Sequence, residues 1–410
     1  MFIFIFKKGK KNEIANYRPI SLIPHLYKVF CKIILGRIDL HLDENQALDQ
    51  AGFRKGFSTT DHLLVVNQLI EKYEEYQKDL HIAFVDYNKA FDSVEICHLL
   101  KALKNQNIPE KYVRIVKNIY ETSSASISLG KCGEKFYLKR GVKQGDPMSP
   151  KLFNAVLESV FRSLKWENFG ISINNKKLNN LRFADDVVLF AESKNELIQL
   201  IQDLKDASKI VGLEMNENKT KIINNTGDDD YYVDGLKIEV VKDYKYLGQI
   251  ISFKYRQSKE IDSRISSAWR SFWALKTFLL SELPMFHKRK LMDSVILPIF
   301  TYGAQTWSLS KENERKLQVE QRAMERKILK ISRLDHITNV EIRTRTKIKD
   351  VLLHAKMLKW NFCGLCQRIS DGRWTKKVEN WIPQNGKRRC GNQQKRWRDE
   401  IEETGLGRWR

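Results

Sequence analysis

Two adjacent aspartates, Asp185 and Asp186, interrupt an otherwise apolar run, LRFADDVVLFAES (181–193). Leu181, Phe183 and Ala184 precede them, and Val187, Val188, Leu189 and Phe190 follow, a composition that belongs in a core. A carboxylate buried there is costly unless something pairs with it. The partner is a cationic side chain, a metal ion, or water at the tip of a turn. A third carboxylate, Asp86, ends HIAFVDY 99 residues before the pair, and Phe91 and Asp92 follow on its continuation. Adjacent strand residues point to opposite faces, so Asp185 and Asp186 reach one site only where the backbone turns. A hairpin with the pair at its tip, beside the end of the Asp86 strand, gathers three carboxylates without a basic partner. Such a cluster repels itself and is favourable around divalent cations. Magnesium, which takes a few carboxylates with water and substrate phosphate, fits phosphoryl transfer by two metals. The plainer reading is that each aspartate caps a turn.

Strands and helices must bring these groups together. HIAFVDY (81–87), SISLG (126–130), RFADDVVLF (182–190) and KYLGQIIS (245–252) read as strands from their β-branched and aromatic content. EICHLLKALKNQ (95–106), PKLFNAVLESVFRSL (150–164) and KNELIQLIQDLKDASKIVG (194–212) read as helices. Ser149 and Pro150 open the second, and Gly212 closes the third. From about residue 255 the chain turns mostly helical, with Ile261, Ile265, Trp269, Phe272, Leu275 and Leu279 near one face. KENERKLQVEQRAMERKILKIS forms another helical run after the apolar patch ILPIFTYGAQTW (296–307). The layout is α+β, without the regular beat of a doubly wound sheet. FIFIF, followed at once by KKGKK, is too short for a signal-peptide core or a membrane span, and reads as a buried strand.

The chain has 410 residues, enough for two or three units sharing cores. Its 72 basic and 50 acidic residues leave a formal charge of +22, which points to a polyanionic partner, nucleic acid first. Residues 341–410 hold 18 basic and 8 acidic residues and five of the nine tryptophans. That interleaving either stacks on bases and neutralises phosphates, or buries its tryptophans in a small helical subdomain. Cys31, Cys97, Cys132, Cys363, Cys366 and Cys390 show no disulfide framework, which predicts a reducing compartment. Cys363 and Cys366, with His354 and Cys390, lack the tight spacing of a zinc knuckle, and read as buried or incidental thiols.

Between the acidic sites lies RGVKQGDPMSPKLFNAVLESV (140–160), a tight turn that opens a helix, with Gln144 offering both a donor and an acceptor. In this order the pieces resemble the reverse transcriptase domain of non-LTR (LINE-type) retrotransposons. NYRPISL (16–22) and DQAGFRKGFSTTDHL (49–63) are similar to its two fingers blocks, and FVDYNKAFDSV to its first palm block. RGVKQGDPMSP is similar to the template-side block and LRFADDVVLFAES to the Asp-Asp hairpin. GLEMNENKTKI (212–222) and YKYLGQIIS (244–252) are similar to the closing palm blocks. ILPIFTYGAQTW and RRCGNQQKRWRDEI resemble the C-terminal half of jockey-like elements.

The resemblance implies a right-hand polymerase: fingers and palm over 1–252, a helical thumb over 253–335, and a basic Trp-rich segment over 336–410. It implies RNA-directed DNA synthesis, with an RNA template, a DNA primer or target and dNTPs as partners, and no membrane. Two Mg2+ ions, with Mn2+ as a substitute, would be held by Asp86 and Asp185, with Asp186 beside them. Phe91 stands where the family's aromatic steric gate rejects a 2′-hydroxyl, and Arg54 is the expected triphosphate ligand. Gln144 and Gly145 would lie against the template, Lys219 would protonate the pyrophosphate, and Tyr246, Leu247 and Gly248 would hold the primer end. Nuclear action follows by the same analogy. Full-length members usually carry an endonuclease, and this chain starts at the first fingers block, so a 5′-truncated copy or gene-model fragment is expected. Two other classes stay open: an inactive remnant that only binds nucleic acid, and an RNA-dependent RNA polymerase. Phe91 argues against the latter, because RNA synthesis must accept the 2′-hydroxyl.

Overall fold

A computed structural model describes residues 1–403 apart from 8, 130, 385, 387, 389, 390 and 392–394. The chain forms two compact units, one from residues 1–59 and 79–241, the other from 60–78 and 242 onward. Both mix or alternate helices and strands, giving a mixed α/β fold.

The first unit opens with a two-stranded ribbon, β1 (Phe2–Phe6) paired antiparallel with β2 (Tyr17–Ser21). FIFIF is thus a strand, but it is not buried: Ile3, Ile5 and Phe6 are exposed. Alternating residues of an isolated ribbon cannot all find cover. Helix α1 (His25–Glu44) buries Cys31, Ile34, Ile38 and Leu42, a run at helical spacing. Helix α2 (Thr59–Glu75) belongs to the second unit. The chain then returns to the first unit with β3 (His81–Val85), helices α3 (Ala90–Ser93), α4 (Ile96–Asn105), α5 (Glu110–Glu121) and α6 (Ser149–Ser163), and strands β4 (Asn180–Phe183) and β5 (Asp186–Ala191). Next come helix α7 (Lys194–Ile210) and strands β6 (Lys221–Asn224), β7 (Tyr231–Val233) and β8 (Leu236–Val240).

Six strands form one sheet in the order β4-β5-β3-β6-β8-β7, antiparallel except for the β6–β8 pair. β3 sits inside it, and all five of its residues are buried. Ala83 and Val85 share a core with Val187, Leu189 and Ala191 of β5, and with apolar residues of α4, α6 and α7. Helix α7 begins at Ser193, whose Oγ accepts from the Glu196 N–H, a cap worth about 1 kcal/mol. SISLG gives only short pieces of strand around 124–129.

The second unit contains the hairpin of β9 (Asp243–Tyr246) and β10 (Gln249–Ser252), then α8 (Arg256–Ala274), α9 (Lys311–Leu329), α10 (Val351–Arg368) and α11 (Trp374–Asn380). Ile261, Phe272, Ile296, Phe300, Trp307, Leu317 and Val351 lie in its core, and Ile265 and Trp269 flank it. The Trp-rich segment uses its rings for packing: Trp374, Trp381 and Trp397 are buried. Lys72 of α2 donates to the carbonyls of Val378, Glu379 and Trp381, and the Trp397 N–H donates to Glu71 at 3.0 Å. Cys363 and Cys366 lie buried on α10 beside Leu64 and Trp397, and burial pushes their thiols up to about 11 and about 12. Cys390 and Trp409 fall outside the described residues. Among the described residues no helix is long and apolar enough to cross a membrane.

Candidate active site

Asp86 is the first residue beyond β3, held by its own backbone: the Asn216 N–H donates to its carbonyl at 2.7 Å. Phe183 pairs with Asp186, so Ala184 and Asp185 form the turn and Asp186 begins β5. The turn therefore centres one residue earlier than a hairpin with both aspartates at its tip. Val187 pairs with Val85, and the antiparallel register carried one residue further sets Asp186 opposite Asp86. The central pairing of the sheet is thus what gathers the carboxylates.

Their electrostatics record that crowding. Burial raises Asp185 above the ordinary carboxylate range, a backbone N–H opposes the shift, and Asp86 adds to it. Lost hydration, then repulsion from Asp185 and Asp86, pushes Asp186 up to about 6, although its side chain stays open to solvent. The cations that offset the shifts are Arg18, acting on Asp185, and Lys7, acting on both. Arg18 lies in β2 and Lys7 just past the end of β1, and the sequence motifs point to neither. A basic residue in a loop or a ribbon carries no periodic signal that would mark it.

Lys219 Nζ lies 3.1 Å from Asp86 Oδ2. Phe91 stacks on Phe153 with centroids 4.6 Å apart and meets Phe53 edge-on at 6.2 Å. The Val142 N–H donates to the Phe91 carbonyl at 2.7 Å, which ties the 140–150 turn to the segment after Asp86. In that turn Gln144 donates from Nε2 to Asp92 at 3.3 Å, and its carbonyl accepts from the Ser21 N–H at 2.9 Å. Gly145 is exposed beside it.

Arg54 is placed differently from a free phosphate ligand. Its Nη1 donates to the carbonyls of Ala47 at 2.7 Å and Gln50 at 3.1 Å, and Nη2 to that of Asp43 at 3.3 Å. The guanidinium also lies 4.4 Å over the Phe57 ring. A planar donor fork matches carbonyls leaving the end of α1 as well as it matches phosphate. In this conformation three Arg54 donor bonds hold carbonyls at and after the end of α1.

Tyr246, Leu247 and Gly248 lie in the second unit. Tyr246 pairs with Gln249, and Leu247 and Gly248 form the two-residue turn at φ +44° and +83°. The Tyr302 hydroxyl donates to the Leu247 carbonyl at 2.7 Å, and Arg264 donates to the Gly248 carbonyl. A Cβ on Gly248 would lie 3.1 Å from the Tyr302 ring, so the turn needs glycine twice over.

Among the described residues, one group of three acidic, histidine or cysteine side chains brings its ligand atoms within 4.8 Å of one another: Glu95, Cys97 and His98 at the start of α4. Asp86, Asp185 and Asp186 are spread more widely. Their donors are all carboxylate oxygens, and magnesium is satisfied by one or two such groups together with water and phosphate. The donor type is the one Mg2+ takes, while the three carboxylates do not converge on one point in this conformation.

Residues 6–251, more than half of the chain, match the family described as Reverse transcriptase (RNA-dependent DNA polymerase). An uncharacterized transposon-derived protein of Caenorhabditis elegans is 32% identical over 239 residues, 56% of this chain and 86% of that protein. The Pol polyprotein of the type-2 retrotransposable element R2DM of Drosophila melanogaster is 29% identical over 316 residues, 70% of this chain and 29% of the polyprotein. The RNA-directed DNA polymerase from the mobile element jockey of Drosophila melanogaster is 28% identical over 348 residues, 80% of this chain and 37% of that protein. Among solved structures, a Candida Tropicalis telomerase in complex with a telomeric RNA fragment aligns with TM-score 0.47 at 14% identity, over 92% of this chain and 62% of that one. The chain thus spans well under half the length of the R2DM and jockey proteins. It belongs to the reverse transcriptase family and is related to the enzymes of non-LTR retrotransposons of the R2 and jockey kind.

Proposed function

We propose that the chain is an RNA-directed DNA polymerase of a non-LTR retrotransposon, with fingers and palm up to about residue 252, a helical thumb to 335 and a basic segment beyond. The observation that supports this reading is the pairing of Val85 with Val187, next to which Asp86, Asp185 and Asp186 come within electrostatic reach of one another. In the reaction a primer 3′-hydroxyl attacks the α-phosphate of a dNTP, and pyrophosphate leaves. Asp86 and Asp185 would hold two Mg2+ ions, with Asp186 beside them. When bound, such ions lower the pKa of the attacking hydroxyl and neutralise the leaving oxygens.

The protein's own groups do the rest. Arg18 of β2 and Lys7, just past β1, supply positive charge to the triphosphate. Lys219, already beside Asp86, carries the proton that the pyrophosphate takes up. Phe91, backed by the Phe153 ring, packs under the deoxyribose. Gln144 and Gly145 face the templating base, and the Leu247–Gly248 turn holds the primer end. The template, primer and nuclear location follow by family analogy.

Primer extension on an RNA template with magnesium, run with dNTPs and separately with rNTPs, tests the reading. Deoxynucleotide incorporation that Asp185→Ala abolishes supports it. Template binding without any extension would leave a nucleic-acid-binding remnant, and preferential rNTP incorporation would mean an RNA polymerase.

A further inference from the structure

Ala184, the first residue of the turn that carries Asp185, stands at φ +57°. An L-residue other than glycine, asparagine or aspartate seldom stays in that region unless its surroundings impose it. Here the imposing group is Gln50, 134 residues away and fully buried. The Ala184 N–H donates to Gln50 Oε1 at 3.0 Å, and Gln50 Nε2 donates back to the Ala184 carbonyl at 3.4 Å. The same Oε1 accepts the Gly52 N–H at 2.8 Å.

The backbone around Gln50 is fitted to this grip. The Arg182 N–H donates to the Asp49 carbonyl at 2.8 Å, and the Ala51 N–H donates to the Arg182 carbonyl at 2.9 Å. Residues 49–51 therefore run parallel to β4, with Gln50 bridged to Arg182. Gly52 lets the segment close on the turn: a Cβ there would lie 2.2 Å from the Ala184 nitrogen. Asn154 of α6, also buried, donates to the Gly52 carbonyl at 2.7 Å and fixes the segment from behind.

A leucine would fill the volume of Gln50 without the cost of burying an amide, so the amide needs another reason. Its donor and acceptor together satisfy both polar groups of Ala184, as a neighbouring strand would. We propose that Gln50 is a positioning residue: it holds Ala184 in the left-handed conformation and so sets the direction in which Asp185 and Asp186 present their carboxylates. The proposal rests on reading those aspartates as the metal-holding groups of the polymerase.

The test uses the full chain with Gln50→Leu, Gln50→Asn and the double variant Gln50→Leu with Ala184→Gly. Thermal unfolding checks folding, Mn2+ binding is read by electron paramagnetic resonance with Asp185→Asn as the reference, and extension kinetics follow. Whichever single variant folds is expected to bind the Asp185-dependent Mn2+ about fivefold more weakly and to lose about tenfold or more in kcat. The dNTP KM and primer–template affinity should not move. Glycine adopts φ +57° without strain, so Ala184→Gly should restore part of the Mn2+ affinity in the Leu background. A folded single variant with wild-type Mn2+ affinity and kcat overturns the proposal, as does an absence of any glycine rescue. Wild-type Mn2+ binding that is indifferent to Asp185→Asn overturns the underlying site reading instead, a result separable from the first.

Discussion

Lys219 and Asp86 meet with Nζ 3.1 Å from Oδ2, joining the turn before β6 to the end of β3. About half of the lysine side chain is exposed, so as an ion pair alone it contributes little to stability. Its value lies in where it stands, beside a carboxylate proposed to hold magnesium.

Lys219→Gln is therefore expected to leave folding nearly unchanged and to lower kcat about tenfold or more, with dNTP KM shifted far less. Single-turnover extension in H2O and in D2O checks the proton role. The wild type should slow in D2O, whereas Lys219→Gln should be slow in both with a smaller solvent isotope effect. A variant retaining the wild-type isotope effect would remove Lys219 from that role.

Phe91→Val should raise the ratio of rNTP to dNTP incorporation about tenfold, since the stack on Phe153 aims the ring at one place. The same change should destabilise the chain by about 1–2 kcal/mol, because part of a half-buried ring is lost. Unchanged ribonucleotide rejection in a folded variant would assign the ring to packing only.

Tyr302→Phe deletes the hydroxyl that donates to the Leu247 carbonyl and leaves the ring against Gly248. The expected outcome is a weaker grip on the primer end: a severalfold higher KM for primer–template with the dNTP KM unchanged. Gly248→Ala should be harsher, because it adds strain at φ +83° to a 3.1 Å approach. Steady-state titration of primer–template separates the two.

His81, at the edge of β3, has Nδ1 2.6 Å from the Tyr231 hydroxyl. Burial lowers its pKa below the ordinary histidine value; Asp228 and Asp79 oppose the shift, and Lys194 adds to it. The folded protein therefore holds the neutral ring where the unfolded chain takes a proton. Stability from this group is full above about pH 6.5, the ordinary histidine value, and is lost as pH falls through the lowered pKa. Urea unfolding at pH 7.5 and at pH 5 should show a larger acid loss for the wild type than for His81→Asn. Equal losses would mean that His81 is not the group responsible.

The sequence made the carboxylate hairpin legible because apolar residues flank it on both sides and a turn is the only way to align adjacent aspartates. The helices 95–106, 150–164 and 194–212 were legible from their spacing, helped by Pro150 at the start of the second and Gly212 after the third. Apolar content alone did not say what covers a strand, and FIFIF proved to be an open ribbon. The grip of Gln50 on Ala184 was hidden, since it joins residues 134 apart and has no periodicity. Arg54 was hidden for a related reason: a guanidinium suited to phosphate is equally suited to the carbonyls at the end of α1. Helix α2 escaped notice because apolar and polar residues alike are buried along Asp61–Ile70, so no exposed face marks it.

On the proposed function, Asp86 and Asp185 carry magnesium-dependent DNA synthesis on an RNA template. The most direct measurement follows primer extension by the wild type, Asp86→Asn and Asp185→Asn, with RNA template–DNA primer binding recorded on the same samples. The expected result is dNTP incorporation by the wild type, a loss of at least about a thousandfold in each variant, and binding within a few-fold of the wild type in all three. Extension that survives either substitution, or a wild type that binds but never extends, would contradict it.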